Sequence, residues 1–310
     1  MGMVSIVMAT YNGEKYLEEQ IESILLSTYQ DFEIYIYDDG SKDTTMEILN
    51  GYKRQYPHKI YISQNESNLG VTQNFFQAIS RTTSDYIMLC DQDDIWKKDK
   101  IARTLKRIRQ MEVQFGKNLP MAVFTDAHVV DSDLNILEES FFRSGRLNPR
   151  LYDLSHLLME NKLIGCTVMV NGALRKVLQG SSLPKWARYH DGWLGLIASS
   201  LGKISFIKEP TLYYRQHENN LVGNKSFLSY ILNRLGNLRE QKRALLALQM
   251  QAREFAQLYH NLIDEDKLDL ILRFSELNQM SFLGRRKLII GNRYLKSGII
   301  RNLGLMIIAC

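Results

Sequence analysis

The residues of this chain whose types and spacing can do chemistry begin with a cluster of acids. Tyr86-Ile87-Met88-Leu89-Cys90 has the composition of a buried strand and runs directly into Asp91-Gln92-Asp93-Asp94, three carboxylates in four positions. Aspartates are rarely buried unpaired, and like charges this close repel one another. A core strand that ends in such a cluster therefore has a use for a cation. Asp91 and Asp93 are two apart, so a turn at a frayed strand end aims both at one ion. Hard oxygen donors suit Mg2+ or Mn2+, with substrate phosphates completing the shell. The plainer reading is a solvated acidic turn leading into a helix whose first turn favours Asp. The three acids alone leave both readings open.

A cluster like this needs a scaffold, and the flanking sequence predicts one. Val4-Ser5-Ile6-Val7-Met8-Ala9 is a short apolar run, as expected of a parallel strand buried on both faces. Thr10-Tyr11-Asn12-Gly13 breaks it, and Tyr16, Leu17, Gln20, Ile21, Ile24 and Leu25 then recur at helical spacing. Residues 32–37 read as a second strand closed by Asp38-Asp39-Gly40-Ser41-Lys42-Asp43, 44–52 as a helix and 59–63 as a third strand. A helix entered through Asn68-Leu69-Gly70 runs through Ile79, and 85–90 is the fourth strand. This alternation predicts an α/β fold with an open, mostly parallel sheet flanked by helices. Ligands of such sheets bind beyond the carboxyl ends of the strands, which puts Thr10, Asp38 and Asp91 in one crevice. No G-x-G-x-x-G or G-x-x-x-x-G-K-[ST] follows an early strand, so neither a dinucleotide fingerprint nor a P-loop is present.

Ala9-Thr10-Tyr11-Asn12, Asp38-Asp39-Gly40-Ser41-Lys42-Asp43, Asn68-Leu69-Gly70 and Asp91-Gln92-Asp93-Asp94, in this order and spacing, resemble family 2 of the inverting nucleotide-sugar glycosyltransferases, which have the GT-A fold. Further on, Gly165-Cys166-Thr167 resembles the acceptor-side loop of that family and His190-Asp191-Gly192-Trp193 its catalytic-base segment. Tyr214-Arg215-Gln216-His217 resembles its C-terminal metal and diphosphate segment. The likeness covers about residues 3–220. Within the family, Asp91-Gln92-Asp93-Asp94-Ile95-Trp96 and the basic, helical C-terminus look most like bacterial rhamnosyltransferases of surface polysaccharide biosynthesis.

The resemblance implies a role for each matched residue. Thr10 and Asp38 contact the base and ribose of the donor, within a nucleotide-sugar site that also takes Asn12, Asp39, Asn68, Asp91 and Gln92. Asp93 is the direct ligand of Mn2+ or Mg2+, with Asp91 nearer the ribose or a metal-bound water, and His217 adds a ligand or a diphosphate contact. Asp191 is the general base that takes the proton of the attacking hydroxyl. Gly165, Cys166, His190, Trp193 and Arg215 line or support the acceptor side. Structural readings stand beside these: Asp38 to Asp43 as an Asx-type turn with Asp43 or Ser41 as cap, Asp191 as the N-cap of a helix from Trp193 to Ser200, and His217 as a surface residue. Gln73 and Asn74 face the nucleotide, the core or the surface, and Trp96, Trp186 and Trp193 stack on sugars or fill the core.

Composition adds boundaries. The 45% hydrophobic and 24% charged residues describe an ordinary globular protein. Cys90, Cys166 and Cys310 are widely spaced and odd in number, which fits a reducing, cytoplasmic compartment rather than a disulfide framework. No apolar run approaches the roughly 20 residues of a transmembrane helix, and no secretory signal is apparent. Residues 226–310 carry 13 Lys/Arg against 7 Asp/Glu, and from Ser281 onward there are six basic residues and no acidic one. This divides the chain into a catalytic region, 1–224, and a helical, basic region, 225–310, with long helices over Phe227 to Tyr259 and Asp264 to Met280. The last segment, from Phe282, reads as an interfacial helix facing anionic lipid, or as one packed on the body or on a second subunit of a homodimer. Nucleic acid is not indicated, because no recognition motif accompanies the charge.

The expected protein is thus a metal-dependent transferase at the inner face of the cell membrane. It takes a sugar, dTDP-L-rhamnose first and a UDP-hexose or UDP-N-acetylhexosamine next, to a polysaccharide or undecaprenyl-linked saccharide. Two other classes compete. One is a non-catalytic nucleotide- or saccharide-binding partner; the other is a nucleotidyltransferase, which usually carries a basic Gly-rich loop where Thr10 to Glu14 stands.

Overall fold

The computed structural model of the chain describes residues 2–217 and 238–308. Its centre is a nine-stranded sheet. Strands β1 (Val4–Thr10), β2 (Phe32–Asp38), β3 (Ile60–Gln64) and β4 (Tyr86–Cys90) pair in parallel in the order β3-β2-β1-β4. Helices α1 (Leu17–Leu25), α2 (Thr45–Gln55) and α3 (Val71–Arg81) make the crossovers. The register sets Thr10 beside Asp38 and Met8 beside Cys90, so the loops after β1, β2 and β4 emerge at one edge. Beyond β4 the sheet is mixed. A short strand β5 (Ile95–Trp96) and helix α4 (Lys100–Phe115) lead to β6 (Met121–Val130), whose end carries the small β7 (Ile136–Glu138). Helices α5 (Phe141–Ser144) and α6 (Leu154–Met159) and a 3-10 turn at Gly165–Thr167 precede β8 (Met169–Asn171), α7 (Gly172–Gln179) and α8 (His190–Leu201). The long β9 (Lys203–Arg215) then runs parallel to β6 and antiparallel to β5, so its end returns to the acidic loop after β4.

The alternation of strand side chains divides the core into two layers. Ile6 and Met8 of β1 face α1 and α4 with Ile21, Ile24, Ile101 and Ile108. Val7, with Ile87 and Leu89 of β4, faces α3, α7 and α8 with Phe75, Leu174 and Trp193. Each large apolar side chain buried this way contributes about 1.5–3 kcal/mol. Trp193 belongs to this core rather than to a sugar platform, while Trp186 is 53% exposed.

The C-terminal helices are α9 (Leu238–Tyr259), α10 (Glu265–Ser275), α11 (Phe282–Gly291) and α12 (Ile299–Ile308). The expected start of the first at Phe227, its stripe residues Ile231 and Leu235, and the boundary after residue 224 lie outside the described residues. Leu245, Phe255, Tyr259, Phe274, Tyr294 and Leu305 join the same apolar layer as Val7 and Leu89. Phe255 meets Trp193 edge-on at 5.1 Å, and the Lys267 ammonium donates to the Ser200 carbonyl at 2.6 Å. The helix expected to reach Met280 becomes a 3-10 turn at Leu277–Gln279, and the segment from Phe282 is two helices rather than one. Arg293 and Gly298 between them have φ of 57° and 80°, a left-handed backbone no α-helix accommodates. Among the described residues no helix is long and apolar enough to cross a membrane.

Candidate active site

The loops after β1 and β2 are built on Asp38. Its carboxylate is fully buried and accepts from Thr10 Oγ1 at 3.0 Å, the Ser41 and Gly40 amides at 2.9 and 3.1 Å, Gln64 Nε2 at 3.2 Å and the Ser41 hydroxyl. Five donors satisfy a charge that would otherwise be costly at this depth. Asp39 braces the next loop, accepting from the Leu69 and Gly70 amides at 2.8 Å and from Asn65 Nδ2 at 2.9 Å. Asn12 sits at φ 48° with its side chain accepting from the Lys42 amide at 2.8 Å, and Asn68 accepts from the Gly70 amide at 3.0 Å. Gln92 ties the β4 loop to the β1 loop through both Tyr11 backbone groups, at 2.8 and 3.1 Å. Asn74 bonds the Tyr37 carbonyl and Asn65, and Gln73 bonds the Pro184 carbonyl. Asp43 supports the start of α2 through Thr45 and also accepts from the Glu14 amide. The structure thus gives Thr10, Asn12, Asp38, Asp39, Asn68 and Gln92 each a partner within the protein that shapes the crevice wall.

The acidic loop is held from β9. Arg215, fully buried, donates from Nε to the Asp93 carbonyl at 2.9 Å, from Nη1 to the Ser132 carbonyl at 2.7 Å and from Nη2 to the Glu19 carboxylate, and lies 4.3 Å over the Tyr16 ring. Its amide donates to Asp94 Oδ1 at 3.2 Å. Arg215 is therefore a supporting residue whose guanidinium is committed to the scaffold. Two residues on, His217 Nε2 meets Asp93 Oδ2 at 2.9 Å, and its ring lies 5.1 Å from that of Tyr16. Residues 124 positions apart thus share one end of the crevice.

Behind the loop sit Asp94, Cys166 and Lys100, all fully buried. Burial, then the neighbouring Asp93, pushes the Asp94 carboxyl up to about 7. The Lys100 ammonium donates to the Cys166 carbonyl at 2.8 Å, lies 4.6 Å over the Trp96 ring, and is pulled down to about 8 by burial. Asp91 is pushed well up by burial and by Asp94, Asp93 and Asp191.

Asp191 reaches the crevice from α8. It is the second residue of that helix rather than its cap, because the helix begins at His190, and Tyr189 takes the cap position. Its Oδ1 accepts from the Gly192 amide at 2.6 Å and from Asn161 Nδ2 at 2.9 Å. Burial pushes its carboxyl up to about 7, although the Gly192 and Gly165 backbone and Asn161 pull the other way. Gly165 leaves the opening beside it: a Cβ there would lie 2.9 Å from His190 Nε2 and 3.6 Å from Asp191 Oδ2. His190 stacks on Phe75 at 3.9 Å with both ring nitrogens unpaired among the described residues, and burial pulls it down to about 3, so it is a neutral imidazole.

Two donor sets are candidates for a cation. Ligand atoms of Asp91, Asp94 and Cys166 lie within 4.8 Å of one another, but Asp94 Oδ1 is taken by Arg215 and burial pushes the Cys166 thiol well up, leaving a protonated sulfur. Asp93 with His217, and Asp91 alongside, offers carboxylate oxygens and an imidazole at the crevice, a set that suits Mg2+ or Mn2+. The residues present fit a hard divalent cation there.

Residues that sequence reasoning did not single out are Asn161, Glu19, Tyr16 and Lys100. Asn161 and Lys100 carry no spacing signal, because what makes them part of the site is a contact across the fold.

Glycosyl transferase family 2 matches residues 5–134. The dTDP-rhamnosyl transferase RfbG of Shigella flexneri is 31% identical over 250 residues, spanning 76% of this chain and 80% of RfbG. Among solved structures, S. aureus TarS in complex with UDP-GlcNAc aligns with a TM-score of 0.56 at 18% identity, over 93% of this chain and 79% of that one. The mannosyltransferase PcManGT of Pyrobaculum calidifontis, in complex with GDP-Man and Mn2+, aligns with a TM-score of 0.53 at 15% identity, over 99% and 85%. Those two likenesses speak to the fold, the curled α/β sheet of the GT-A glycosyltransferases. With the family matched through the acidic loop and a relative at 31% identity over most of both lengths, the chain belongs to glycosyl transferase family 2.

Proposed function

We propose that this glycosyltransferase is inverting and metal-dependent, and that it moves L-rhamnose from dTDP-L-rhamnose to a hydroxyl of a lipid-linked or growing surface saccharide. The observation that carries the reading is the convergence of Asp93 and His217 at one end of a crevice that also receives Asp191, a carboxylate raised to about 7. Similarity to RfbG supports the rhamnosyl donor.

Asp191 accepts the proton of the acceptor hydroxyl as that oxygen bonds to the anomeric carbon from the face opposite the diphosphate. The bond from that carbon to the diphosphate oxygen breaks in the same event, which inverts the centre. A carboxylate raised to about 7 is matched to this task, since a base works best with a pKa near the working pH. Asn161 and the Gly192 amide fix the carboxylate's direction, and Gly165 keeps its approach clear. A divalent cation bound by Asp93 and His217, beside Asp91, supplies Lewis-acid neutralisation of charge on the leaving diphosphate. Arg215 and Lys100 hold the loop and turn that carry these groups. Thr10 and Asp38 bound the floor of the nucleotide site, with Asp38 also carrying the turn above it.

The same proposal puts the enzyme at the cytoplasmic face of the membrane, and the surface of the C-terminal helices supports it. Leu283 and Ile299 are 74% and 79% exposed, with Ile290, Ile300, Leu303 and Ile307 also outward, in a stretch that has basic but no acidic residues.

The test is nucleoside diphosphate release across a panel of sugar nucleotides with Mn2+ or Mg2+, for wild type, Asp93→Ala and Asp191→Asn. Release confined to dTDP-rhamnose and lost in Asp93→Ala supports the full reading. Release from a UDP-sugar alone moves the donor assignment and leaves the reaction class standing. Silence with every donor and with lipid-linked acceptor extracts would leave a binding protein of the same fold.

A further inference from the structure

Asn161, whose amide orients Asp191, is the middle residue of a tripeptide held on its other side by the C-terminal region. Glu160 has an extended backbone, so consecutive side chains here point to opposite sides. Asn161 points to α8, bonding Asp191 Oδ1 at 2.9 Å and closing on itself through the Leu163 carbonyl and amide at 3.0 Å. Glu160 and Lys162 pair with each other and reach the turn before α12. There the Ser297 amide donates to Glu160 Oε2 at 2.8 Å, Lys162 Nζ donates to the Ser297 hydroxyl at 2.7 Å, and Arg301 Nη1 donates to Glu160 Oε1 at 2.9 Å. Ser297 also accepts from the Asn148 amide at 2.9 Å, and Arg301 Nη2 donates to the Gly145 carbonyl at 2.6 Å. Lys162 and Ser297 are almost wholly buried. A buried clamp of three charged groups is a poor choice for bulk stability, since desolvating its charges offsets most of their attraction, but it fixes geometry well.

We infer that the segment Ser297 to Arg301 is a positioning device for the Asp191 carboxylate, acting through Glu160 and Lys162 on Asn161. This rests on the reading of Asp191 as the base. When the clamp is made, the tripeptide has one register, and the Asn161 amide is held against Asp191. When it is broken, the carboxylate loses its side-chain donor, is held by backbone amides alone, and swings away from the acceptor line. The C-terminal helices thus contribute to the chemical step without touching either substrate. The groups facing Asp191 are Asp91 from the end of β4, His190 beside it on α8, and Asn161. Glu160 and Lys162 bear on it only through the backbone.

The experiment uses the full chain with Glu160→Gln, Ser297→Ala, Arg301→Lys and Asn161→Ala, measuring kcat, donor KM and the pH dependence of kcat, with circular dichroism as the fold control. We expect Glu160→Gln and Ser297→Ala to follow Asn161→Ala. All three should lower kcat roughly tenfold or more at unchanged donor KM, as misplacing a catalytic group does. The ascending limb of their pH profiles should move upward, because a donor to the ionised carboxylate is weakened. Arg301→Lys, which keeps the charge on Glu160, should retain most of the wild-type kcat. If Glu160→Gln and Ser297→Ala keep the wild-type kcat and profile while Asn161→Ala does not, the inference is overturned. A fall in kcat that tracks lost folded protein, with the profile unmoved, overturns it as well. Wild-type turnover in Asp191→Asn would instead remove the base assignment beneath it, an outcome separate from either.

Discussion

At the scale of single residues, the site runs on carboxylates in unlike surroundings. Asp38 is saturated with donors, whereas Asp191 is raised to about 7 by burial. A base must be ionised to act, so kcat should rise with pH through the region of 7 and level off above it, and Asp191→Asn should remove that limb with a loss of about 100-fold or more. The sign for stability is opposite. A carboxyl raised in the fold loses stability as pH climbs from its ordinary 3.8 to about 7 and carries the full cost above that, so Asp191→Asn should unfold at a higher temperature than wild type at pH 8. Gly165→Ala tests the opening beside the base. The added carbon would lie 2.9 Å from His190 Nε2, on a buried ring already stacked on Phe75 at 3.9 Å. Overpacking of this kind costs about 1–3 kcal/mol, and donor turnover should fall further than that stability loss explains.

At the scale of elements, β9 matters more to the site than its sequence suggests. Its last residue, Arg215, bonds groups after β4, in α1 and after β6. Arg215→Met would leave the Asp93 and Ser132 carbonyls without their donor and Glu19 without its charge partner, while the backbone amide still serves Asp94, so a loss of about 1–3 kcal/mol is expected in denaturant titration, together with loss of cation-dependent stabilisation. The parallel half of the sheet was legible because each strand of β1 to β4 is a short apolar run ended by a polar turn. The break between α11 and α12 and the helical status of His190 and Asp191 were not, because propensity says little about where a helix ends against a packed neighbour. In the site, the strand-end acids announce themselves by type and spacing. The bond from Asn161 to Asp191, the burial of Lys100 and the fivefold bonding of Asp38 depend on chain returns tens of residues long, and no local pattern encodes them.

At the scale of the whole molecule, the C-terminal helices share a core with the sheet on one side and present basic and apolar residues on the other. Binding to vesicles rich in anionic lipid, weakened by salt as the Debye length falls to about 3 Å at 1 M, is the expected behaviour. Reversing Arg285, Arg286 and Lys287 to Glu should abolish cosedimentation, and binding indifferent to both salt and reversal would point to a second subunit as the occupant of that face. Acid should release the same helices. Burial pushes the Glu160 carboxyl up, yet Lys162, the Ser297 amide and Arg301 hold it at about 2, below its ordinary 4.5. Its contribution is therefore present above pH 4.5 and is lost as pH falls toward 2. Burial also pulls Lys162 down, so the clamp is worth less than the carboxyl alone implies.

The place of β9 in the sheet also dictates an order of birth. Strand β5 pairs with β9, and Asp94 receives the Arg215 amide across 121 residues of chain. At roughly 5–20 residues per second, that gap is about 6–24 s of synthesis. The four parallel strands can pair on the ribosome during that interval, while the acidic loop lacks both its anchor and His217. On the proposed assignment of Asp93 and His217, a nascent chain would gain its cation site, and with it donor turnover, only once β9 has entered between β6 and β5.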